Sequence, residues 1–278
     1  LDISGKDINH VVVNTLRRIV LNDIPTYAFY ETSIDISENV SVFDNDYMRE
    51  RLSQLPIFNV KNDIDYLPEK YWLHDYTNSE REKHPKDTKS IELFINAENV
   101  SQNILHVTTD HIEYYEDDKE IKNKYKSINP ILLISLRPKD KFVCKLNGVL
   151  GVGIKNNIWA ATSTCYFDNY EDVPTDKESH KYKFTMESQG QFSEKEILIK
   201  ACKTITAKLE NLTNTLKNKY YGHEIKNSDS IVIKIEEENH TLGKLLKRAI
   251  NDYTDAIAGF NKPDMLEEIM VLKIKSKT

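Results

Sequence analysis

Residues 9–20 read Asn9-His10-Val11-Val12-Val13-Asn14-Thr15-Leu16-Arg17-Arg18-Ile19-Val20, and residues 239–250 read Asn239-His240-Thr241-Leu242-Gly243-Lys244-Leu245-Leu246-Lys247-Arg248-Ala249-Ile250. One offset of 230 residues aligns Asn-His with Asn-His, Val12 with Leu242, Leu16 with Leu246, and a basic pair with a basic pair. A unit written twice, far apart in one chain, predicts two related halves that face each other across a pseudo-two-fold seam. That organisation belongs to a scaffold rather than to an active site.

The first copy sits in an amphipathic stretch, residues 7–23. Ile8, Val12, Leu16 and Ile19 recur at helical spacing, Asp7 is the expected N-cap, and Pro25 ends the helix. The second copy carries Leu242, Leu245, Leu246, Ala249, Ile250 and Tyr253 on one face. A third helix is marked by a capping box, Ser193 with Glu196, and an apolar seam of Leu198, Ile205, Leu209, Leu212 and Leu216. Gly222 is its expected stop. The seam is therefore expected to bury Val12, Leu16, Ile19, Leu198, Ile205, Leu242, Leu246 and Ile250.

Between these helices the pattern is mostly that of strands. Alternation predicts strands over 27–36, 91–97, 104–108, 130–136, 182–188, 231–235 and 270–274. A short helix is expected over 44–55. Residues 141–150 and 159–167 read as two strands around a Gly151-Val152-Gly153 hairpin turn. Residues 59–90 and 168–181 read as polar excursions, and Glu116 to Glu120 as a solvated acidic turn.

The 278 residues suit about two domains, and the net charge of −6 argues against a chain that coats nucleic acid. No apolar run approaches the ~18 residues of a membrane span. Cys144, Cys165 and Cys202 are odd in number and far apart, which fits a reducing compartment and no disulfide framework. The start at Leu1, without a signal-peptide pattern or initiator Met, reads as the ordered part of a longer polypeptide.

Asn14-Thr15-Leu16-Arg17-Arg18-Ile19-Val20-Leu21-Asn22-Asp23-Ile24-Pro25-Thr26 resembles the signature helix of the RNA polymerase alpha family, which includes the eukaryotic third subunit and its archaeal D-like counterpart. Asp46-Tyr47-Met48-Arg49-Glu50-Arg51-Leu52-Ser53-Gln54-Leu55-Pro56-Ile57 resembles the family's next helix. Gly151-Val152-Gly153-Ile154-Lys155 with Trp159-Ala160-Ala161, and Phe184-Thr185-Met186-Glu187-Ser188-Gln189-Gly190, continue the likeness. The tail is similar to a different member. Glu238-Asn239-His240-Thr241-Leu242-Gly243-Lys244-Leu245-Leu246, then Ala258-Gly259-Phe260 and Lys262-Pro263, resemble the eleventh subunit of polymerase II and its archaeal L-like counterpart. In cells these are separate, heterodimerising polypeptides; here they read as one fused chain, a habit of large DNA viruses.

The resemblance implies an α+β fold of alpha-subunit-type dimerisation modules, helices on a small antiparallel sheet. Residues 1–29 and 181–223 form the third-subunit-like module, 30–180 an inserted, mainly β domain, and 224–278 an eleventh-subunit-like half-module without its terminal helix. It also implies a noncatalytic assembly platform that binds the second-largest and largest polymerase subunits and small zinc-bearing subunits, and meets DNA only through the complex. The surroundings implied are a host cytoplasmic viral factory or virion, or otherwise a nucleus or cytosol, with no membrane.

Arg17 and Arg18, with Arg51, Lys247 and Arg248, are the expected partner contacts; a solvated helix face is the plain alternative. The family's third subunits often carry a four-cysteine metal loop. Residues 59–90 hold no cysteine, so that metal is not carried over, and no cofactor is expected. His10 and His240 read as capping or packing residues, and His74, His84, His106 and His111 as scattered surface groups. The eight glycines form no phosphate-cradling loop, and neither a nucleophilic triad nor an aspartate metal triad is visible. Glu236-Glu237-Glu238 reads as solvated acidity. A free-standing adaptor module using the same fold is the alternative function, and an enzyme is the remaining one.

Overall fold

A computed structural model describes residues 1–72, 88–122, 124–125, 129–169, 180–220, 230–236, 238–264 and 269–276. His74, His84, Gly222, Glu237 and much of both polar excursions lie outside the described residues. The elements in order are β1 (Asp2–Gly5), α1 (His10–Asn22), β2 (Pro25–Asn39), α2 (Asn45–Ser53), β3 (Ile91–Glu98), β4 (Leu105–Thr108), β5 (Ile112–Glu116), β6 (Lys119–Glu120), β7 (Leu132–Leu136), β8 (Lys141–Val152), β9 (Thr162–Asn169), β10 (His180–Ser188), α3 (Glu194–Tyr220), β11 (Ser230–Glu236), α4 (His240–Tyr253), β12 (Ala256–Asn261) and β13 (Ile269–Ser276). The mixed α+β class read from the sequence is the class observed.

The chain divides into two compact units. One comprises Leu1–Asp23, Thr164–Glu187 and Leu198–Thr278; the other comprises Ile24–Ser163 and Ser188–Ile197. The repeated helices α1 and α4 thus lie in the same unit.

The second unit is built on a five-stranded antiparallel sheet in the order β2-β8-β3-β5-β6, beside a β4-β7 pair. β3 alternates in burial, with Ile91, Leu93 and Ile95 inward, as a strand with one covered face must. Phe29, Met48, Leu52, Phe142 and Leu146 close the same apolar core. Each such side chain contributes roughly 1.5–3 kcal/mol by leaving water. Asp44, not the first helical residue, caps α2 by accepting from the Tyr47 amide. The acidic turn is as expected at its tip, where Asp117 and Asp118 are exposed and hold positive φ between β5 and β6, the two-residue hairpin turn that matches strand twist; Glu116 is instead largely covered and paired with Lys124.

The glycine motif does something other than turn a hairpin. Gly151 lies inside β8, opposite Thr26 of β2. β8 pairs with β2 and β3, whereas β9 joins β10 and β1 in another sheet. Glycine is required there because a Cβ on residue 151 would stand 2.4 Å from the Trp159 indole. The indole donates to the Val149 carbonyl at 2.9 Å, and the Thr26 hydroxyl donates to the Trp159 carbonyl at 2.6 Å. The Gly-Trp spacing therefore encodes ring-on-backbone packing, a long-range contact that local turn chemistry does not reveal.

In the first unit, β11-β13-β12 form a three-stranded antiparallel sheet under α4. Ile235, Ala258, Met270 and Leu272 are its buried residues, with Leu212, Leu246 and Ile250 packed against them. Gly243 lets α4 approach closely, since a Cβ there would lie 2.4 Å from Met270 Sδ and 2.6 Å from the Phe260 ring. This explains the glycine of the His-Thr-Leu-Gly stretch, and it needs β12, a strand the alternation did not announce.

Candidate assembly surface

The Asn-His pair that opens each copy of the repeat starts each helix. Asn9 is the N-cap of α1: its side-chain oxygen accepts from the amides of Val11 and Val12 at 2.9 and 3.2 Å. Asn239 caps α4 by accepting from the Thr241 amide at 2.9 Å. Asp7 is therefore not the cap expected from sequence. Asn9 holds the extended backbone that a cap needs, and the helix begins at His10.

The ends of the two helices meet reciprocally. Asp23, which follows α1, and Glu238, which precedes α4, both bind Lys208 of α3, at 2.9 and 3.4 Å. At the other end, the Tyr253 hydroxyl of α4 donates to Asp7, which precedes α1, and this raises the tyrosine pKa. The offset of 230 turns Asp23 into Tyr253 and Ile8 into Glu238. The contact between the end of one copy and the start of the other is thus made twice, once each way, as a self-complementary interface requires.

The Lys208 side chain and its two carboxylates are each about one-tenth exposed (10%, 11% and 10%). Glu238 is consequently not the solvated acid the sequence implied. It lies under α3, where removing a partner leaves an uncompensated buried charge.

The expected seam residues are distributed unevenly. Ile19 and Leu242 are buried, whereas Val12, Leu16, Leu198, Ile205, Leu246 and Ile250 are half-buried. Ile19, Ile205 and Leu242 line one small cavity together with Lys208 and Glu238. Leu246 and Ile250 face the β11-β13-β12 core. Leu16 and Leu246, expected as buried counterparts, are both half-buried.

Among the expected partner contacts, Arg17 donates to the Asn14 side chain at 3.1 Å and is half-buried. Arg18 is half-buried, and its Nε is fully covered without a hydrogen-bond partner among the described residues. Arg51 lies in the second unit and donates to the carbonyls of Leu133 and Leu132, both at 2.8 Å. Its donors are thus used within its own unit. Lys247 is exposed, and Arg248 pairs with Asp252 one turn along α4. Sequence reading missed Asp23, Lys208 and Glu238; the signal available was an acid just after the first repeated helix and another just before the second Asn-His. Among the described residues, no three His, Cys, Asp or Glu side chains are grouped to hold a metal ion. No described helix is long and apolar enough to cross a membrane.

The chain is 27% identical over 298 aligned positions, covering 99% of it and 81% of the relative, to a protein of Acanthamoeba polyphaga mimivirus assigned as a DNA-directed RNA polymerase subunit. It is 26% identical over 167 positions to the RNA polymerase II subunit RPB3 of Schizosaccharomyces pombe, covering 56% of this chain and 52% of that one. The RNA polymerase Rpb3/Rpb11 dimerisation domain matches residues 3–209, so the chain belongs to that family.

Proposed function

We propose that this chain is the noncatalytic assembly platform of a multisubunit DNA-directed RNA polymerase, with its two partner halves carried on one polypeptide. The reciprocal pairing of α1 and α4 within one unit carries this reading. In the family the two halves meet between chains. Here the seam is intramolecular, so its formation has a high effective concentration and does not wait for a second gene product.

On this reading the half-buried face of α1, with Arg17 and Arg18, docks the second-largest subunit, and the largest subunit follows. Arginine forks suit carboxylates or carbonyls on a large partner. Lys247 and Arg248 of α4 form the pseudo-equivalent patch. Nucleotide addition resides in the large subunits, small zinc-bearing subunits dock on the same platform, and DNA is met only through the complex. The domain plan proposed is a third-subunit-like module from 1–29 and 181–223, an insertion over 30–180, and an eleventh-subunit-like half from 224. The mimivirus relative supports a large DNA virus as the source, with a cytoplasmic factory or the virion as the place of work.

Affinity purification of the chain from its native source, followed by mass spectrometry, tests the reading. Two co-eluting polypeptides far larger than 278 residues are expected. Elution without them would favour a free-standing adaptor.

A further inference from the structure

We propose that the open face of the β11-β13-β12 sheet receives an acidic segment of a partner polypeptide; the proposal rests on the assembly reading and concerns a surface apart from α1. α4 covers one face of this sheet, where Ile235, Ala258, Met270 and Leu272 are buried. Alternate residues of a strand point to opposite faces, so Val232 and Lys234 of β11, Val271, Lys273 and Lys275 of β13, and Ile257 and Gly259 of β12 share the other face. Register sets a lysine beside an aliphatic residue three times: Lys234 opposite Val271, Lys273 opposite Val232, and Lys275 opposite Ile257. All three lysines are exposed, as are Val232 (53%) and Ile257 (54%). A Cβ on Gly259, opposite Lys273, would meet nothing within 4 Å, so no described residue stands over the sheet there.

The repeat supplies an internal control. The offset of 230 aligns β1 with residues 232–235, so that Asp2 corresponds to Val232 and Ser4 to Lys234. Asp2 lies opposite Lys183 and Ser4 opposite Lys181 in β10, as Val232 lies opposite Lys273 and Lys234 opposite Val271 in β13. In the first copy the charge is balanced within the chain, since Asp2 pairs with Lys181 at 3.2 Å. In the second copy the acid's place holds an exposed valine, and the serine's place holds a further lysine. None of Lys234, Lys273 and Lys275 is in an ion pair with a described residue. Glu236, at the end of β11, is the one acid on this face among the described residues.

The chemistry of the face selects the occupant. Unbalanced lysines beside exposed aliphatic side chains, in a chain of net charge −6, complement an acidic ligand that has apolar side chains of its own. An extended acidic segment also has the matching repeat, because alternate residues of a strand stand about 6.8 Å apart, the spacing of Lys273 and Lys275. A nucleic acid strand fits less well. Proteins that grip single strands stack bases on aromatic side chains and add arginine, and neither residue type is among the described residues of this face.

Acetylation of lysines, read by mass spectrometry, tests this on the free chain and on the chain purified with its native partners. Lys234, Lys273 and Lys275 should react at least about fivefold more slowly in the complex, measured against Lys183, which holds the matching face of the first copy. Carbodiimide coupling, which joins an amine to a carboxylate in contact, should link at least one of the three to an Asp or Glu of a partner. Lys273→Glu with Lys275→Glu should weaken capture of that partner at least about fivefold with melting unchanged, since both side chains are exposed, and Lys273→Arg with Lys275→Arg should retain it. A complex that holds the two large polypeptides and leaves the three lysines as reactive as in the free chain would overturn the acidic contact and leave the assembly reading standing. Protection without any carboxylate product would overturn it as well. A native chain that elutes with no partner would overturn both. Reactivity restored by nuclease treatment would overturn the acidic segment in favour of a phosphate backbone.

Discussion

The two units of this chain bury their signature residues in opposite ways. In the second unit the apolar anchors of the family-like motifs are sealed: Met48 and Leu52 of α2 are inaccessible and Trp159 fills the space left by Gly151, while the exposed Arg51 is tied to two carbonyls of its own unit. In the first unit the most specific motif leaves Leu16, Arg17 and Arg18 half-exposed, and α4 fully buries only Thr241, Leu242 and Gly243. A motif that is sealed serves its own fold. On the function proposed above, a motif that stays half-open, as on α1, is left for a partner that arrives later.

This contrast can be broken by substitution. Phe142 is wholly buried in the second unit, so Phe142→Ala should cost about 3–5 kcal/mol in denaturant unfolding. Leu16→Ala should cost less, about 1–2 kcal/mol, because part of its surface is already exposed to water. Equal losses would mean that Leu16 is sealed in solution and that the contrast is false. Within the first unit, Lys208→Met should cost about 3 kcal/mol by taking the shared cation from the covered Asp23 and Glu238, and replacing both acids as well should recover much of it. No recovery would show that Lys208 acts by packing its stem, not by its charge.

Smaller effects sharpen the same comparison. Burial pushes the Cys144 thiol up to about 12 and the Cys165 thiol up to about 11, while Cys202 is exposed on α3. A disulfide reagent at neutral pH should therefore modify Cys202 quickly and the other two only after unfolding. Fast modification of Cys165 would place its strand in an open state. The smallest effect concerns Glu196, whose carboxylate accepts from the Ser193 amide and hydroxyl, with Lys61 nearby, and is lowered from 4.5 to about 2. Folding depresses this pKa, so its contribution is present above pH 4.5 and is lost as pH falls towards 2. Glu196→Gln should remove a small part of the acid sensitivity in that window and should leave neutral-pH melting almost unchanged.

How much of this was legible depended on whether the signal was local. Helix periodicity and the Ser193–Glu196 box are local, and both α1 and α3 lie where the sequence places them. The offset of 230 was readable as a repeat, but residue chemistry alone assigned the first cap to Asp7, and only the structure shows Asn9 and Asn239 as the two N-caps. Gly151 was misread because its cause, the Trp159 ring, arrives from a strand-length away and from another side of β8. Glu238 was misread because acidity in sequence says nothing about a lysine 30 residues earlier on another helix. A small cavity between α1 and α4 was invisible for the same reason. His10 and His240 are ordinary one at a time, and only the pairing of the copies gathers them with Arg18 and Lys244.

Capture of the second-largest polymerase subunit by the Arg17→Ala, Arg18→Ala double variant tests the half-open face most directly. Both side chains are half-exposed on α1, so circular dichroism and melting should stay near those of the wild type. Capture should fall at least about tenfold, or ~1.4 kcal/mol. Undiminished capture by a folded double variant would contradict the account and return these arginines to an ordinary solvated helix face.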